Sequence, residues 1–335
     1  MKVVIATDSF KGSASAGDLS LWIKEGWLSV RPHDEVLSLP MADGGEGSRE
    51  VIEASACKLE GVAVIELAEI CGITKYSTLD PLGAHTFELG LAVRRAIESG
   101  SKKIILCVGG SASTDAGTGA LRALGAKFLD KSGNEIPLGG AGLLELESID
   151  LTGLIAGPPE GTAIFSDVTN PLTGKNGAAY VFGPQKGATA KQVELLDEAL
   201  FNLVRVSGFP ETQGSGAAGG TTYGFQFAYD ADVKSGSAEI AKLIGLPEAI
   251  ASADLVITGE GRYDSQSLQG KVVSTVVGLA GQTPVAYIVG DKEINFPEGS
   301  KGISLTDLAS SLDAAMKAVH TWTHQAARLL AQAKL

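Results

Sequence analysis

An α/β protein is what this sequence predicts: a Rossmann-like parallel-sheet domain with a second α/β domain inserted into it. Three observations carry that reading. From the amino terminus to about residue 125, short apolar runs suited to buried parallel strands alternate with helical segments. From Gly125 to about Pro247 the rhythm gives way to short β-like pieces and glycine clusters. At Asp254 the strand–helix alternation resumes. The boundaries expected are therefore 1–125 and 248–335 for the discontinuous Rossmann-like domain, and 126–247 for the insertion.

Residues 2–6 read as the first strand, with Thr7-Asp-Ser-Phe-Lys-Gly12 as its exit loop. A helix over 15–30 follows, because Leu19, Trp22, Ile23 and Trp27 recur at helical spacing. Strand 34–40 exits into Met41-Ala-Asp-Gly-Gly-Glu-Gly-Ser48, and strand 62–67 and helix 89–99 come next. The strongly apolar strand 103–108 runs into Gly109-Gly-Ser-Ala-Ser-Thr-Asp-Ala-Gly117 and a helix to about Leu124. In the insertion, 163–165 and 178–182 read as strands, and 189–206 as a helix capped by Thr189. A further helix is expected over 237–246. After the insertion come a strand ending at Ile257, a helix over 267–280 with Ser265 or Ser267 near its start, and strand 285–289. A short strand at 303–305 and a terminal helix over 311–332, packed through Leu312, Ala315, Met316 and Val319, close the chain.

Composition narrows the function classes. The net charge of −12 speaks against a nucleic-acid surface, while a few local Lys and Arg still suit a small anion. No apolar stretch approaches the roughly 20 residues that span a bilayer, and no leader is evident, so a cytoplasmic protein without a membrane partner is expected. Glycine is abundant, at 43 residues, without a collagen-like period, which suggests tight turns and close backbone approaches. Cys57, Cys71 and Cys107 are odd in number, lack metal-like spacing and sit in apolar stretches, so they read as buried, inert thiols.

Five polar loops follow five expected strands, around Asp8, Asp43, Asp115, Glu260 and Asp291. Strand carboxyl ends of a parallel sheet share one edge, so these loops can converge, although Asp and Gly also favour ordinary turns. The Gly109–Asp115 loop offers backbone N–H groups to phosphate, yet no Gly-x-x-x-x-Gly-Lys-Ser/Thr pattern is present. Gly214-Ser-Gly-Ala-Ala-Gly219 fits the dinucleotide fingerprint, but no convincing strand precedes it, so it reads as a hinge or cleft-lining loop. Asp167 and Asn170 sit at a strand end and could take Mg²⁺ through oxygen, while Lys186 stands between rigid turn residues as a point charge for an anion; a plain surface turn suits each equally well. His320 and His324 lie one turn apart without a third ligand, which fits a solvated helix face.

Taken in order, Asp8-Ser-Phe-Lys-Gly12, Ala42-Asp-Gly-Gly-Glu-Gly47, Gly109-Gly-Ser-Ala-Ser-Thr-Asp115, Asp167-Val-Thr-Asn-Pro-Leu172, Phe182-Gly-Pro-Gln-Lys-Gly-Ala188 and Thr258-Gly-Glu-Gly-Arg-Tyr-Asp264 with Gln266-Ser-Leu-Gln-Gly-Lys271 resemble the bacterial type I glycerate kinase family. The resemblance runs from residue 1 to about 290. It implies transfer of phosphate from ATP, with Mg²⁺, to D-glycerate, giving 2-phosphoglycerate in many relatives and 3-phosphoglycerate in others. It also implies two α/β domains with the active site in the cleft between them. Two departures stand out. A β-hairpin containing Pro-Leu-Gly, usual in relatives, is missing before Val62, and Ile288-Val-Gly-Asp291 replaces the frequent Ala-Gly-Ser.

Phosphoryl transfer needs charge neutralisation, a metal and a positioned hydroxyl. The expected catalytic residues are Asp8, Lys11, Asp167, Arg262 and Asp264, with Asp8 or Asp264 orienting the acceptor hydroxyl and Arg262 holding the glycerate carboxylate. Gly109, Gly110, Ser111 and Ser113 are expected around the ATP phosphates, with Lys11 or Lys186 adding positive charge. Asp43 and Asp115 are the expected Mg²⁺ ligands, with Asp167 as the alternative. Ser9, Glu46, Asn170, Glu260 and Gln266 are expected to line the acceptor. A homodimer is compatible with the sequence. The competing readings are a kinase for another small hydroxy acid, a nicotinamide dehydrogenase, and a non-catalytic sugar-acid-binding protein.

Overall fold

A computed structural model describes residues 1–55, 59–268 and 271–333. Two compact α/β units are present, one comprising Met1–Asp43, Glu50–Cys57 and Ser237–Leu335, the other Gly44–Arg49 and Lys58–Gly236.

The first unit is built on five parallel strands in the spatial order Lys301–Ser304, Val285–Val289, Leu255–Gly259, Lys2–Thr7, Glu35–Ser38. Every residue of Leu255–Gly259 is buried, as is all of Lys2–Thr7 except its first residue, which is why both read as continuous apolar runs. Ser15 caps the helix Ala16–Leu28 by accepting from the Asp18 N–H. That helix buries Leu19, Ile23 and Trp27 in a core shared with Val3, Ile5, Leu255 and Ile257.

The second unit holds a four-stranded parallel sheet, Val62–Glu66, Lys103–Cys107, Thr162–Phe165 and Asp232–Lys234 in that spatial order. The sequence reading expected the first two of these strands to continue the sheet begun at residue 2. They pair instead with each other, and Lys103–Cys107 pairs onward with Thr162–Phe165, because which apolar strand neighbours which is decided by packing across the whole chain. The expected insertion thus corresponds to only part of the second unit.

Three local expectations also change. Residues 178–182 were expected as a strand and form the helix Ala178–Phe182; a short apolar run carries no period of its own, and the run opens on two alanines. The Gly214–Gly220 segment is no free hinge. Gly214 and Gly216 donate to the Thr169 and Asn170 carbonyls (3.1 and 3.0 Å), and Ala116 donates to the Gly219 carbonyl (3.0 Å). The terminal helix breaks at Ala318 into Leu312–Lys317 and Val319–Gln332. Leu312 and Met316, expected in the core, are each 49% exposed. Thr189 does cap the helix Ala190–Ser207, in a reciprocal box with Gln192. Cys71 and Cys107 are buried thiols outside any disulfide, whereas Cys57 lies outside the described residues.

Gly259 closes the strand that precedes Glu260, and a Cβ there would stand 1.7 Å from the Ile288 carbonyl oxygen. Gly259→Ala should therefore destabilise the protein by about 1–3 kcal/mol, the range for forced overpacking, read as a lower urea midpoint. An unchanged midpoint would show that the neighbouring strands yield freely.

Candidate functional site

In the first unit the chain steps from Lys2–Thr7 to Glu35–Ser38 on one side, and from Leu255–Gly259 to Val285–Val289 on the other. The order therefore reverses between the adjacent strands Lys2–Thr7 and Leu255–Gly259, and the crevice at such a reversal is where open α/β sheets bind ligands. Asp8 and Glu260 are the residues immediately after these two strands. The Asp8 N–H donates to the Gly259 carbonyl (2.9 Å), which keeps the two loops together.

Both carboxyls are buried. Burial, with Asp43 and Glu260 nearby, pushes Asp8 up to about 8, while Lys11 and the Ser9 N–H (2.7 Å) pull the other way. Glu260 is also raised, first by burial and further by Asp264 and Asp43, against a hydrogen bond from Ser267 and the charge of Lys271. Among the described residues its Oε1 has no hydrogen-bond partner. A buried carboxylate oxygen left without a donor costs free energy and marks a place where a ligand or water can bind.

A cavity of about 360 Å³ opens over this pair. Asp43, Asp264 and Asp291 add carboxylates to its wall, and Lys11, Arg262 and Lys271 add cations. Lys11 reaches Asp43 at 3.8 Å. Arg262 is paired with Glu293 and is 65% exposed, so its guanidinium can change partners at little cost. The facing wall is apolar, made by Phe10, Leu305, Leu312, Met316 and Val319. Four of the five polar loops expected to converge, those at Asp8, Asp43, Glu260 and Asp291, do so here. Ser9 also lines the cavity, and Gln266 lies in the short turn Ser265–Leu268, although its side chain is outside the described residues.

The fifth loop belongs to the second unit. Gly109 and Ala112 spend their N–H groups on the Gly44 and Cys71 carbonyls (3.0 and 3.3 Å), which leaves Gly110 as the exposed point of the loop. Lys186, read as a point charge between turn residues, is buried beneath it. Its Nζ donates to Ser111 Oγ (2.9 Å) and to the Ser113 carbonyl (2.5 Å). Burial lowers it to about 8 even though Asp115 favours the charged form. A buried cation whose partners among the described residues are a hydroxyl and a carbonyl makes the loop above it attractive to anions, without touching the ligand itself. The Cys71 thiol in the same region is pushed up to about 12 by burial and by Asp115.

Asp115, expected as a metal ligand, is fully committed elsewhere. It is completely buried, and its oxygens accept from Thr86 N–H and Oγ1 (2.8 Å each), Gly117 N–H and Gly119 N–H (3.2 Å each). That arrangement ties the glycine-rich loop to the start of the helix Phe87–Glu98. Asp167 accepts from Ser235 Oγ (2.7 Å), Asn170 donates to the Asn176 carbonyl (2.9 Å), and Glu46 is exposed. Ala116 and Ala218 hold left-handed backbones (φ 51° and 53°) in two loops that hydrogen-bond each other, a conformation that costs an alanine roughly 1–2 kcal/mol. Such strain gathers at functional loops.

Reading the sequence missed several contributors. Lys271 was quoted only as the end of a motif. Glu66 fixes the start of the helix Ser48–Ala54 by accepting from Gly47 and Arg49 N–H (2.9 Å each), and its position at a strand end was the available signal. Leu312 and Met316 gave no signal apart from core periodicity. His320 stacks edge-on against Trp22 rather than completing a ligand set.

The donor set suits a hard divalent cation carried by a nucleotide. Among the described residues no group of three or more His, Cys, Asp or Glu could enclose a metal by itself. Mg²⁺ in kinases takes one or two carboxylates together with water and substrate phosphates, and Asp43 with the partnerless Glu260 Oε1 meets that smaller demand. No helix among the described residues is long and apolar enough to cross a membrane.

Comparison with known proteins agrees with this geometry. The profile of the glycerate kinase family matches residues 3–60 and 52–334. A glycerate kinase of Bacillus subtilis (strain 168) is 37% identical over 312 residues, covering 84% of this chain and 81% of that protein. A glycerate 2-kinase of Escherichia coli (strain K12) is 37% identical over 324 residues, covering 87% and 85%. A crystal structure described as a glycerate kinase 2 from Salmonella typhimurium LT2 superimposes with a TM-score of 0.77 at 35% identity, covering 99% of this chain and 97% of the other. The chain belongs to the glycerate kinase family.

Proposed function

We propose that this protein transfers the γ-phosphoryl of ATP to a hydroxyl of D-glycerate, with 2-phosphoglycerate the favoured product and Mg²⁺ required. The observation that carries this reading is the buried Asp8–Glu260 pair at the strand reversal, flanked in one cavity by Lys11, Arg262 and Lys271. Cations supply an anchor for a carboxylate, and a carboxyl whose affinity for protons lies near the working pH can accept one from a hydroxyl.

In this scheme Arg262 exchanges Glu293 for the glycerate carboxylate. The acceptor hydroxyl lies beside Asp8; its oxygen forms the new bond to the γ-phosphorus as the bond to the β–γ bridging oxygen breaks, and its proton passes to Asp8 Oδ. Asp264, raised in the sequence reading as the other candidate base, is assigned to positioning. Lys11 offsets charge on the transferring group. Bound Mg²⁺, held by Asp43 with Glu260, would supply further charge neutralisation. Asp115 is assigned a structural role, and Gly110 with Ser111 is assigned to the nucleotide phosphates above buried Lys186. Asp167, Asn170, Ser9, Glu46 and Gln266 are assigned to the acceptor side or its support. The cavity exceeds what glycerate fills, so larger hydroxy acids belong in any survey of acceptors.

The direct test is coupled ADP release with D-glycerate and other small hydroxy acids, with the phosphorylated carbon read by NMR. Release with D-glycerate and a 2-phospho product are expected, and no glycerate-dependent release would overturn the assignment. Arg262→Ala should raise KM for glycerate about tenfold or more while leaving KM for ATP near normal, on the scale of a charged hydrogen bond. Equal losses for both substrates would remove Arg262 from the acceptor. Asp8→Asn should lower kcat by roughly 10²-fold or more, and an unchanged kcat would move the proton to Asp264.

Asp8 also has a signature in stability. Its folded-state value of about 8 lies above the ordinary carboxyl value of 3.8. Its contribution is thus full below pH 3.8 and is lost as pH rises through about 8. In EDTA, the wild-type urea midpoint should fall over that window, and Asp8→Asn should flatten the fall. Parallel profiles for the two proteins would contradict the assigned ionisation.

A further inference from the structure

Residues 72–85 link the helices Leu67–Cys71 and Phe87–Glu98, and the kinase scheme leaves most of them unused. They are bound to the glycine-rich loop. The Ile73 N–H donates to the Gly110 carbonyl (2.8 Å), and Gly72 forms an antiparallel bridge with Ser111. A second cavity, of about 170 Å³, lies here, walled by Tyr76, Thr78, Leu79, Asp80, His85 and Ala112. Ala112 is itself part of the glycine-rich loop, two residues from its exposed point.

The chemistry of this cavity is particular. Tyr76 and Leu79 are large apolar side chains left 45% and 36% exposed. The polar groups are fixed locally. Asp80 Oδ1 accepts from the Gly83 N–H (3.0 Å), and the Asp80 carbonyl accepts from the Ala84 N–H (2.9 Å). His85 Nδ1 accepts from the Phe87 N–H (3.4 Å), which puts the proton of the neutral ring on Nε2. The cavity therefore combines apolar surface with one carboxylate acceptor and one imidazole donor. An anionic acceptor such as glycerate would meet apolar side chains and a carboxylate here, so it is disfavoured. Pockets for whole drug-sized ligands run to about 300–1,000 Å³, so this smaller one takes a single ring system.

A planar base with an exocyclic amino donor and ring-nitrogen acceptors fits those demands, and the loop beside it is the one assigned to phosphates. Resting on the kinase reading above, we propose that this cavity receives the adenine ring of the nucleotide, with Tyr76 and Leu79 against the ring and Asp80 and His85 at its polar edge.

The test compares ADP with inorganic tripolyphosphate, which lacks a base, by titration calorimetry on the full chain. Aromatic stacking on a base is worth about 1–3 kcal/mol, so Tyr76→Ala should weaken ADP binding about tenfold. Tripolyphosphate affinity and KM for glycerate should stay unchanged, and Tyr76→Phe should bind ADP like the wild type. Unaltered ADP affinity in Tyr76→Ala would overturn the proposal, as would ADP and tripolyphosphate weakening together. A wild-type chain that binds ADP but releases none with any hydroxy acid would instead overturn the kinase reading.

Discussion

The structure of the site depends on one ladder, the parallel pairing of Lys2–Thr7 with Leu255–Gly259, which joins residues some 252 positions apart. It sets the reversal of strand order and brings Asp8 beside Glu260. Neither carboxyl would be out of the ordinary alone at a strand end. Burial is what chiefly tunes both groups upward, with the charge of Asp43 raising both further. The compensation comes from side chains at the rim, Lys11 and Lys271, and from hydrogen bonds donated by Ser9 and Ser267. Gly259, just before Glu260, lacks the side chain that would collide with the Ile288 carbonyl of the neighbouring strand.

The second unit solves a different electrostatic problem in the opposite sense. Lys186 is buried as a cation under the glycine-rich loop, and hydroxyl and carbonyl oxygens take the place of a carboxylate partner. The nearby acid, Asp115, is neutralised by four donors of its own and locks the loop to its flanking helix. A rigid loop with positive potential beneath it suits an anion that must bind and leave. A direct ion pair would have cancelled that potential. Rigidity here is underwritten by the strained Ala116 and Ala218, whose loops hold each other in place.

Much of this was legible in the sequence, for identifiable reasons. Strands buried on both faces announce themselves as unbroken apolar runs, so Lys2–Thr7, Lys103–Cys107 and Leu255–Gly259 were found to within two residues. Ser15 and Thr189 were visible as caps because capping is local chemistry. The loops at Asp8, Asp43, Glu260 and Asp291 were identifiable as strand exits, and the chemistry of the first three contributed to the family resemblance. What was hidden is long-range. Nothing local tells Lys103–Cys107 to pair with Val62–Glu66 and Thr162–Phe165 rather than with Lys2–Thr7. Burial of Lys186 was equally hidden, since Pro184 and Gly187 mark a turn whether it faces solvent or core. The same applies to Met316, whose helical spacing implied a core position and which lines the cavity instead.

Everything proposed for the site depends on the acceptor meeting Asp8 of the buried pair. The most direct measurement is a ¹³C titration of the Asp8 and Glu260 carboxyl carbons in cation-free protein, with and without D-glycerate. Both carbons should report raised values in the free protein, and glycerate should shift the Asp8 titration. Ordinary carboxyl titrations, or an Asp8 curve that glycerate leaves untouched, would contradict the assignment of Asp8 to the acceptor beside Glu260.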